Sequence, residues 1–322
     1  MKTRSYFLLF VILIGLTFCT SKTSKKEVTI LSHSDLITIS GAYAMAPIMQ
    51  VWMNEYQKSH PYVKFKLNVN GSGQGLDELL SGKTDLAMVS EDIPKAKDTQ
   101  LWIVPLARLG VVPVISAKNP YLKTIMAKGL SMDNLSDIFS GKSDKTWGDL
   151  AGTSGKDPIK VYIRGDASGA TATLAKYLSM EARDIKGVPV SGETALLDQV
   201  KNDPFALSYC NSIYAFDTDK KAFLADLKVV PIKKGKEKPE ESQKTFDTYE
   251  HLQRAMWLGT YPSALIRDLN LVSKGKPRTR EMVDFIYWII TDGQRLVADN
   301  GYIELHSAEV QSIGNSIKAM IQ

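Results

Sequence analysis

From residue 35 onward the apolar positions change period repeatedly, and each change marks a new element. The run "DLITIS" (35–40) reads as a strand. The turn after it opens a helix in which Ile48, Trp52 and Tyr56 recur every four residues, with Pro47 in the first turn. The run "YVKFKLNVN" (62–70) alternates, placing Val63, Phe65, Leu67 and Val69 on one face. Helical spacing returns in "LDELLSG", and "DLAMVS" (85–90) is a short apolar strand. Strand, turn, helix, strand, turn, helix, strand describes an α/β fold with a mainly parallel sheet, in which ligands bind where strand C-termini meet helix N-termini.

The same alternation recurs further on. "VVPVISA" (111–117) predicts a strand, and residues 159–178 predict a strand, a Gly/Ser turn and a helix. "FALSYCNSIYAF" (205–216), "LKVVPI" (227–232) and "LNLVSKG" (269–275) predict further strands. A helix is expected from about 279 to 299, with Met282, Phe285, Ile286, Ile289 and Ile290 as its apolar stripe. The pattern therefore predicts two α/β lobes, each offering a helix start that bears glycine and serine.

Those two helix starts carry the candidate chemistry. In "NGSGQGLDELL" (70–80) three glycines precede the apolar run, which is compatible with a nucleotide loop, a pocket for a small anion or a tight turn. A Walker-type loop needs Lys-Ser/Thr after its last glycine, and Leu76, Asp77 and Glu78 stand there instead; the third glycine of a dinucleotide-binding fingerprint is also missing. Ser72 and the N–H groups of Gly73 to Gly75 remain as donors. In "RGDASGAT" (164–171) one short segment supplies a guanidinium, a carboxylate, a hydroxyl and free backbone N–H groups. Helix N-termini attract anions, and arginine adds bidentate hydrogen bonds to a tetrahedral oxyanion, so Arg164 is the expected anion contact with Asp166 orienting it. A strand-end Arg–Asp pair with a serine helix cap is the competing reading. If Arg164 serves the anion, its removal is expected to remove most oxyanion affinity and leave the ligand-free fold nearly as stable.

Composition and charge then narrow the function. The 322 residues are 44% apolar and 23% charged, which is globular composition. The net charge of +5, reduced by two once Lys2 and Arg4 leave, is too small for a nucleic-acid footprint. The run "KKGKEKPEESQK" (233–244) mixes both signs and reads as a solvated loop. Four scattered histidines show no metal-ligand spacing, and neither a Ser–His–Asp set nor any cofactor motif can be proposed, so the chain is not expected to be an enzyme.

Residues 1–19 read as a leader: Lys2 and Arg4 precede an apolar core, from about residue 6 to 16, too short for a bilayer span of about 20 residues. Export follows. Cys19, where the core meets the polar linker 20–26, resembles the lipidation site of bacterial lipoproteins, despite Phe18 where a small residue is usual. With Cys19 acylated, Cys210 has no disulfide partner.

The segments "ITISGAYAMAPIMQVW", "NGSGQGLDELLSGKTDLAMVS", "IRGDASGAT" and "DGQRLVADNGYIEL", in that order, resemble the phosphate-binding proteins of bacterial ABC importers, a branch of the type II periplasmic-binding-protein fold. The resemblance runs from about residue 37 to 305. It implies a monomeric Venus-flytrap with three-layer αβα lobes joined by two crossover strands. Lobe 1 would be 27–117 plus 262–322, and lobe 2 would be 118–261. The ligand implied is phosphate or a similar oxyanion, the partner an ABC permease, and the location the cell envelope, with a lipid anchor in the membrane. Carried over residue by residue, it implies a pocket formed by Gly41, Ala42, Tyr43, Ser72 and Ser90 from one lobe and Arg164, Asp166, Ser168, Gly169 and Ala170 from the other. Several positions depart from the family pattern. "GAYAMAP" leaves backbone N–H groups and the Tyr43 hydroxyl where relatives have Ser/Thr. Glu91 stands where many have arginine, and Ala170 stands where a threonine is usual, with Thr171 one residue later. Glu91 either accepts a proton from a protonated oxyanion or points to solvent, and a sensor or accessory lipoprotein with the same fold is the alternative function.

Overall fold

The computed structural model describes residues 32–93, 100–233 and 246–321. The leader, Cys19, the linker and all but Lys233 of the mixed-charge run lie outside the described residues. The strands are β1 Leu36–Gly41, β2 Lys64–Val69, β3 Leu86–Val89, β4 Leu101–Ser116, β5 Lys160–Arg164 and β6 Val188–Val190. They continue as β7 Ala206–Asn211, β8 Phe216–Asp217, β9 Ala222–Phe223, β10 Leu227–Val229 and β11 Ile266–Lys274. The main sheet runs β2-β1-β3-β11-β4-β7-β5-β6, with β10 also on β4; β8 and β9 form a separate hairpin pair.

The sheet is mixed rather than mainly parallel. β1 pairs parallel with β2 and β3, and β5 pairs parallel with β6 and β7, as βαβ units require. Between these groups lie β4 and β11, each antiparallel to its neighbours. β4 is the long crossover. Its residues 101–110 pair with β11 while Val111–Ile115 pair with β7, so one continuous strand passes from one lobe to the other. The sequence pattern predicts only its second half, because the alternation in 101–110 is weak.

Two hydrophobic cores flank this strand. Ile37, Ile39, Trp52, Tyr56, Leu106, Leu109, Phe285 and Ile289 belong to the first. Val111, Val112, Phe139, Trp147, Leu174, Leu207 and Tyr209 belong to the second, so residues 111–115, expected in lobe 1, pack in the second core. The helices follow their apolar faces. Ala46–Ser59 starts with proline in its first turn and buries Ile48, Trp52 and Tyr56. Arg280–Ile290, capped by the Thr279 hydroxyl, buries Met282, Val283, Phe285, Ile286, Ile289 and Ile290, each contributing about 1.5–3 kcal/mol over exposure.

The expected single helix over 279–299 ends early. The α-helix stops at Ile290, and short 3-10 turns cover Asp292–Leu296 and Ala298–Asn300. Fully buried Trp52 supplies the reason: its indole Nε1 donates to the Gly293 carbonyl at 2.9 Å, which draws that carbonyl away from the helix. A methyl at residue 293 would lie 3.2 Å from Trp288 and 3.3 Å from Trp52, so only glycine fits there comfortably.

Candidate anion-binding cleft

Three glycine-bearing turns converge between the two cores. The first follows β2: Gly71, at φ +93°, caps the helix Ser72–Leu80, so Ser72 and Gly73 occupy its first turn. Their N–H groups lack intrahelical acceptors and lie at the positive end of the helix dipole. The second follows β5, where Ser168 caps the helix Gly169–Tyr177 by accepting from Thr171 N–H. The third, at Gly192 (φ +83°), opens the helix Glu193–Asn202. A cleft of about 220 Å³ lies among them, lined by Ala42, Tyr43, Ser72, Ser90, Arg164, Ser168 and Gly169, together with Glu91, Glu193, Asn211 and Arg267.

Seven of the ten residues expected at the pocket therefore line one cleft, while Gly41, Asp166 and Ala170 stand outside its lining. Gly41 acts from behind. Its carbonyl accepts from the N–H groups of Asn70 and Gly71, tying the β1 turn to the glycine-rich turn. A Cβ there would lie 2.3 Å from the Met88 carbonyl oxygen, and its φ is +132°. Ala170 is buried in the second core, and the adjacent Thr171 hydroxyl pairs with the Tyr209 hydroxyl at 2.6 Å instead of facing the cleft. Among the backbone N–H groups of "GAYAMAP", that of Ala42 is already spent on the Met88 carbonyl at 2.9 Å.

Ser72 and Ser90 form one side of the site. Ser72 Oγ accepts from Ser90 N–H at 3.2 Å, and the two hydroxyl oxygens lie 3.5 Å apart. Tyr43 is exposed at the mouth, where its ring approaches Gly71. Glu78 does not compete with the cleft: its carboxylate accepts from Ser40 Oγ at 2.5 Å and Asn70 Nδ2 at 3.0 Å, which fastens the helix to β1.

Arg164 is held more tightly than the sequence predicts. Its Nε donates to Asp166 Oδ1 at 2.8 Å, its Nη2 to Asp166 Oδ2 at 2.5 Å and its Nη1 to Glu193 Oε2 at 3.1 Å. The guanidinium is 8% exposed and Glu193 7%, whereas Asp166 is 38% exposed. The Arg164 guanidinium pulls the Asp166 carboxyl down to about 2, with help from Gly192 N–H, despite the opposing effect of burial. Burial pushes the Glu193 carboxyl up, opposed by the N–H and amide of Asn211 and by Arg164. Burial also works against charge on Arg164, but its two carboxylates outweigh that and hold it above the ordinary guanidinium value.

Sequence reasoning missed Glu193, Asn211 and Arg267. Glu193 had a signal, since "VSGETALL" repeats the Gly/Ser-turn-then-helix pattern of the other two turns. Asn211 merely ends a strand. Arg267, on β11, carries no local signal, because its neighbours in the cleft come from β3, β7 and the helix Gly169–Tyr177, all distant in sequence. Among the described residues no group of His, Cys, Asp and Glu is arranged to hold a metal ion.

Comparison with known proteins places the chain in a family. The phosphate-binding protein PstS of Bacillus subtilis is 25% identical over 88% of this chain and 85% of its own length. The protein of the same name from Methanocaldococcus jannaschii is 25% identical over 81% of this chain and 79% of its own length. The crystal structure of an ABC-type phosphate transport receptor from Vibrio cholerae superposes with a TM-score of 0.64 at 21% identity, covering 84% of this chain and all of that one. Its backbone has the same two-lobed type II fold as this chain. The family model of the PBP superfamily domain matches residues 20–293, nearly the whole described chain, and the protein belongs to the PBP superfamily.

Proposed function

We propose that the protein is an extracytoplasmic solute-binding lipoprotein that encloses inorganic phosphate, or a similar tetrahedral oxyanion, in this cleft and delivers it to the permease of an ABC importer. It is a binding protein and not an enzyme. The observation that carries this reading is the arrangement of two helix N-termini, at Ser72 and Ser168, around one cleft that also holds the oriented guanidinium of Arg164. The relatives named as phosphate-binding proteins support the same ligand.

On this reading the lobes are 27–110 plus 266–322 and 111–265, with β4 and the segment entering β11 as crossovers. Cys19 carries the lipid anchor, and the chain works as a monomer. No helix among the described residues is long and apolar enough to cross a membrane, so attachment would fall to that anchor. Calorimetric titration of the chain with phosphate and with sulfate is the test. Binding of phosphate at micromolar concentration is expected, and no heat of binding at millimolar phosphate refutes the proposal.

A second reading, a sensor or accessory lipoprotein with weakened binding, is favoured by one feature. Arg164 is already neutralised by Asp166 and Glu193, and Glu91 adds a third carboxylate at the cleft. A dissociation constant near millimolar, with cellular phosphate uptake unchanged when the gene for this protein is deleted, would support that alternative.

A further inference from the structure

Of the two guanidinium groups lining the cleft, only Arg164 is ion-paired directly to carboxylates among the described residues; Arg267 feels Glu193 and Glu91 at longer range. Arg267 lies on β11, paired to Leu109 where β4 passes between the cores, and it reaches across to the second lobe. Its Nη1 donates to Thr173 Oγ1 at 3.3 Å and its Nη2 to Asn211 Oδ1 at 2.5 Å, both neutral acceptors. Its Nε is buried and has no hydrogen-bond partner among the described residues. A buried donor left without an acceptor is costly, and a donor that belongs to a cation costs more.

A glycine lies directly beside that donor. A Cβ built on Gly169 would lie 3.5 Å from Arg267 Nε, 3.4 Å from Ser90 Oγ and 3.2 Å from the Ser90 carbonyl. Arg267 Nε, the Ser90 hydroxyl and the Ser90 carbonyl thus lie around one point at the start of the helix Gly169–Tyr177. The two guanidinium groups are also mechanically linked. Asn211 accepts from Arg267 and donates through both its N–H and its Nδ2 to Glu193, which in turn accepts from Arg164. Glu193 and Asn211 therefore act as positioning residues that hold both cations at a fixed separation.

We infer that Arg267 is a second anion-coordinating residue of the cleft, its Nε–H donating to an oxygen of the bound oxyanion beside Ser90 and Gly169. The inference rests on the proposed oxyanion-binding function. Because Arg164 is bonded to two carboxylates whereas Glu193 and Glu91 act on Arg267 only through space, Arg267 is the less compensated cation of the cleft. It also restores a guanidinium to a pocket that has Glu91 directly after Ser90. Since Arg267 is rooted in the crossover strand and bonded to the second lobe, an anion engaging it beside Ser90 of the first lobe would hold the two lobes closed.

The test is calorimetric titration of inorganic phosphate into the full-length chain, purified in mild detergent, for the unaltered protein and for Arg267→Gln, Arg267→Lys and Thr173→Val. Thermal midpoints of each ligand-free form are measured in parallel. Arg267→Gln is expected to weaken phosphate binding about ten- to hundredfold, the equivalent of one charge-assisted hydrogen bond. Arg267→Lys keeps the charge but loses the fork geometry and is expected to recover only part of that loss. Thr173→Val, which removes an anchor of Arg267 and no ligand donor, should cost less than either. If Arg267→Gln fails to fold, Arg267→Lys carries the test. Phosphate affinity within twofold of the unaltered protein in a folded Arg267 variant overturns the inference while leaving the oxyanion function standing. No phosphate binding by the unaltered protein overturns both.

Discussion

Replacing Arg164 with alanine tests the site's electrostatics most directly, and the structure changes what should happen. The sequence suggested a ligand contact whose loss leaves the empty fold nearly unaffected. In the structure that substitution removes three charge-assisted hydrogen bonds and leaves Glu193, 7% exposed, without its cation. Removing one partner of a buried pair costs about 3–5 kcal/mol. The lower end applies here, because Glu193 keeps the N–H and Nδ2 donors of Asn211 and Asp166 keeps Gly192 N–H. At about 2 °C per kcal/mol for a chain of this size, the ligand-free thermal midpoint should fall by about 6 °C near neutral pH.

The pH dependence identifies the cause. Glu193 has a raised folded-state pKa, so the native state holds its proton more firmly than the unfolded state. Stability from that source is present at low pH and is lost as pH rises through the folded value. Without Arg164 the pKa rises further, and the penalty at higher pH grows. Asp166 acts in the same direction. Its depressed pKa, about 2, contributes stability above the unfolded carboxyl value that is lost as pH falls, and the variant lacks that contribution. The gap in midpoint between the unaltered protein and Arg164→Ala should therefore narrow as pH falls, with the Asp166 part disappearing between about pH 4 and about pH 2. Adding Glu193→Gln to Arg164→Ala should restore part of the lost midpoint. Differential scanning calorimetry provides the measurement. A ligand-free midpoint unchanged by Arg164→Ala, or a deficit independent of pH, would refute the buried-pair account.

Gly169→Ala should weaken phosphate binding about tenfold by titration, because its methyl would crowd the Ser90 carbonyl at 3.2 Å and the Ser90 hydroxyl at 3.4 Å beside Arg267 Nε. Gly41→Ala should instead destabilise the whole fold, by about 3 kcal/mol in a urea melt, since the methyl meets the Met88 carbonyl at 2.3 Å and the backbone has φ +132°. In a Cys19→Ser background, Cys210 should resist an uncharged maleimide until denaturant unfolds the chain, because it is fully buried and burial pushes its thiol pKa well above the ordinary value.

Local pattern determined a good deal of this protein. Period-four and period-two spacing is written in adjacent residues, so the helix carrying Trp52, the alternating strand with Phe65 and the helix starts at Ser72 and Gly169, capped by Gly71 and Ser168, were legible. The Arg164–Asp166 pair was legible too, because two residues at a strand end are held together by the turn itself.

Tertiary structure decided whatever depends on distant partners. The helix break after Ile290 requires Trp52, and the sixteen-residue run of β4 requires β11 on one half and β7 on the other. The site shows the same division. Two of the three turns, at 70–75 and 164–171, could be recognised in the sequence as anion-friendly, but only packing makes all three share one cleft. Packing also buries Glu193 against Arg164 and spends the Ala42 N–H on Met88. It brings Arg267 from β11 to the mouth of a helix nearly a hundred residues earlier. Burial and convergence arise only when the sheet assembles, which is why the type of chemistry could be read from the sequence and the membership of the site could not.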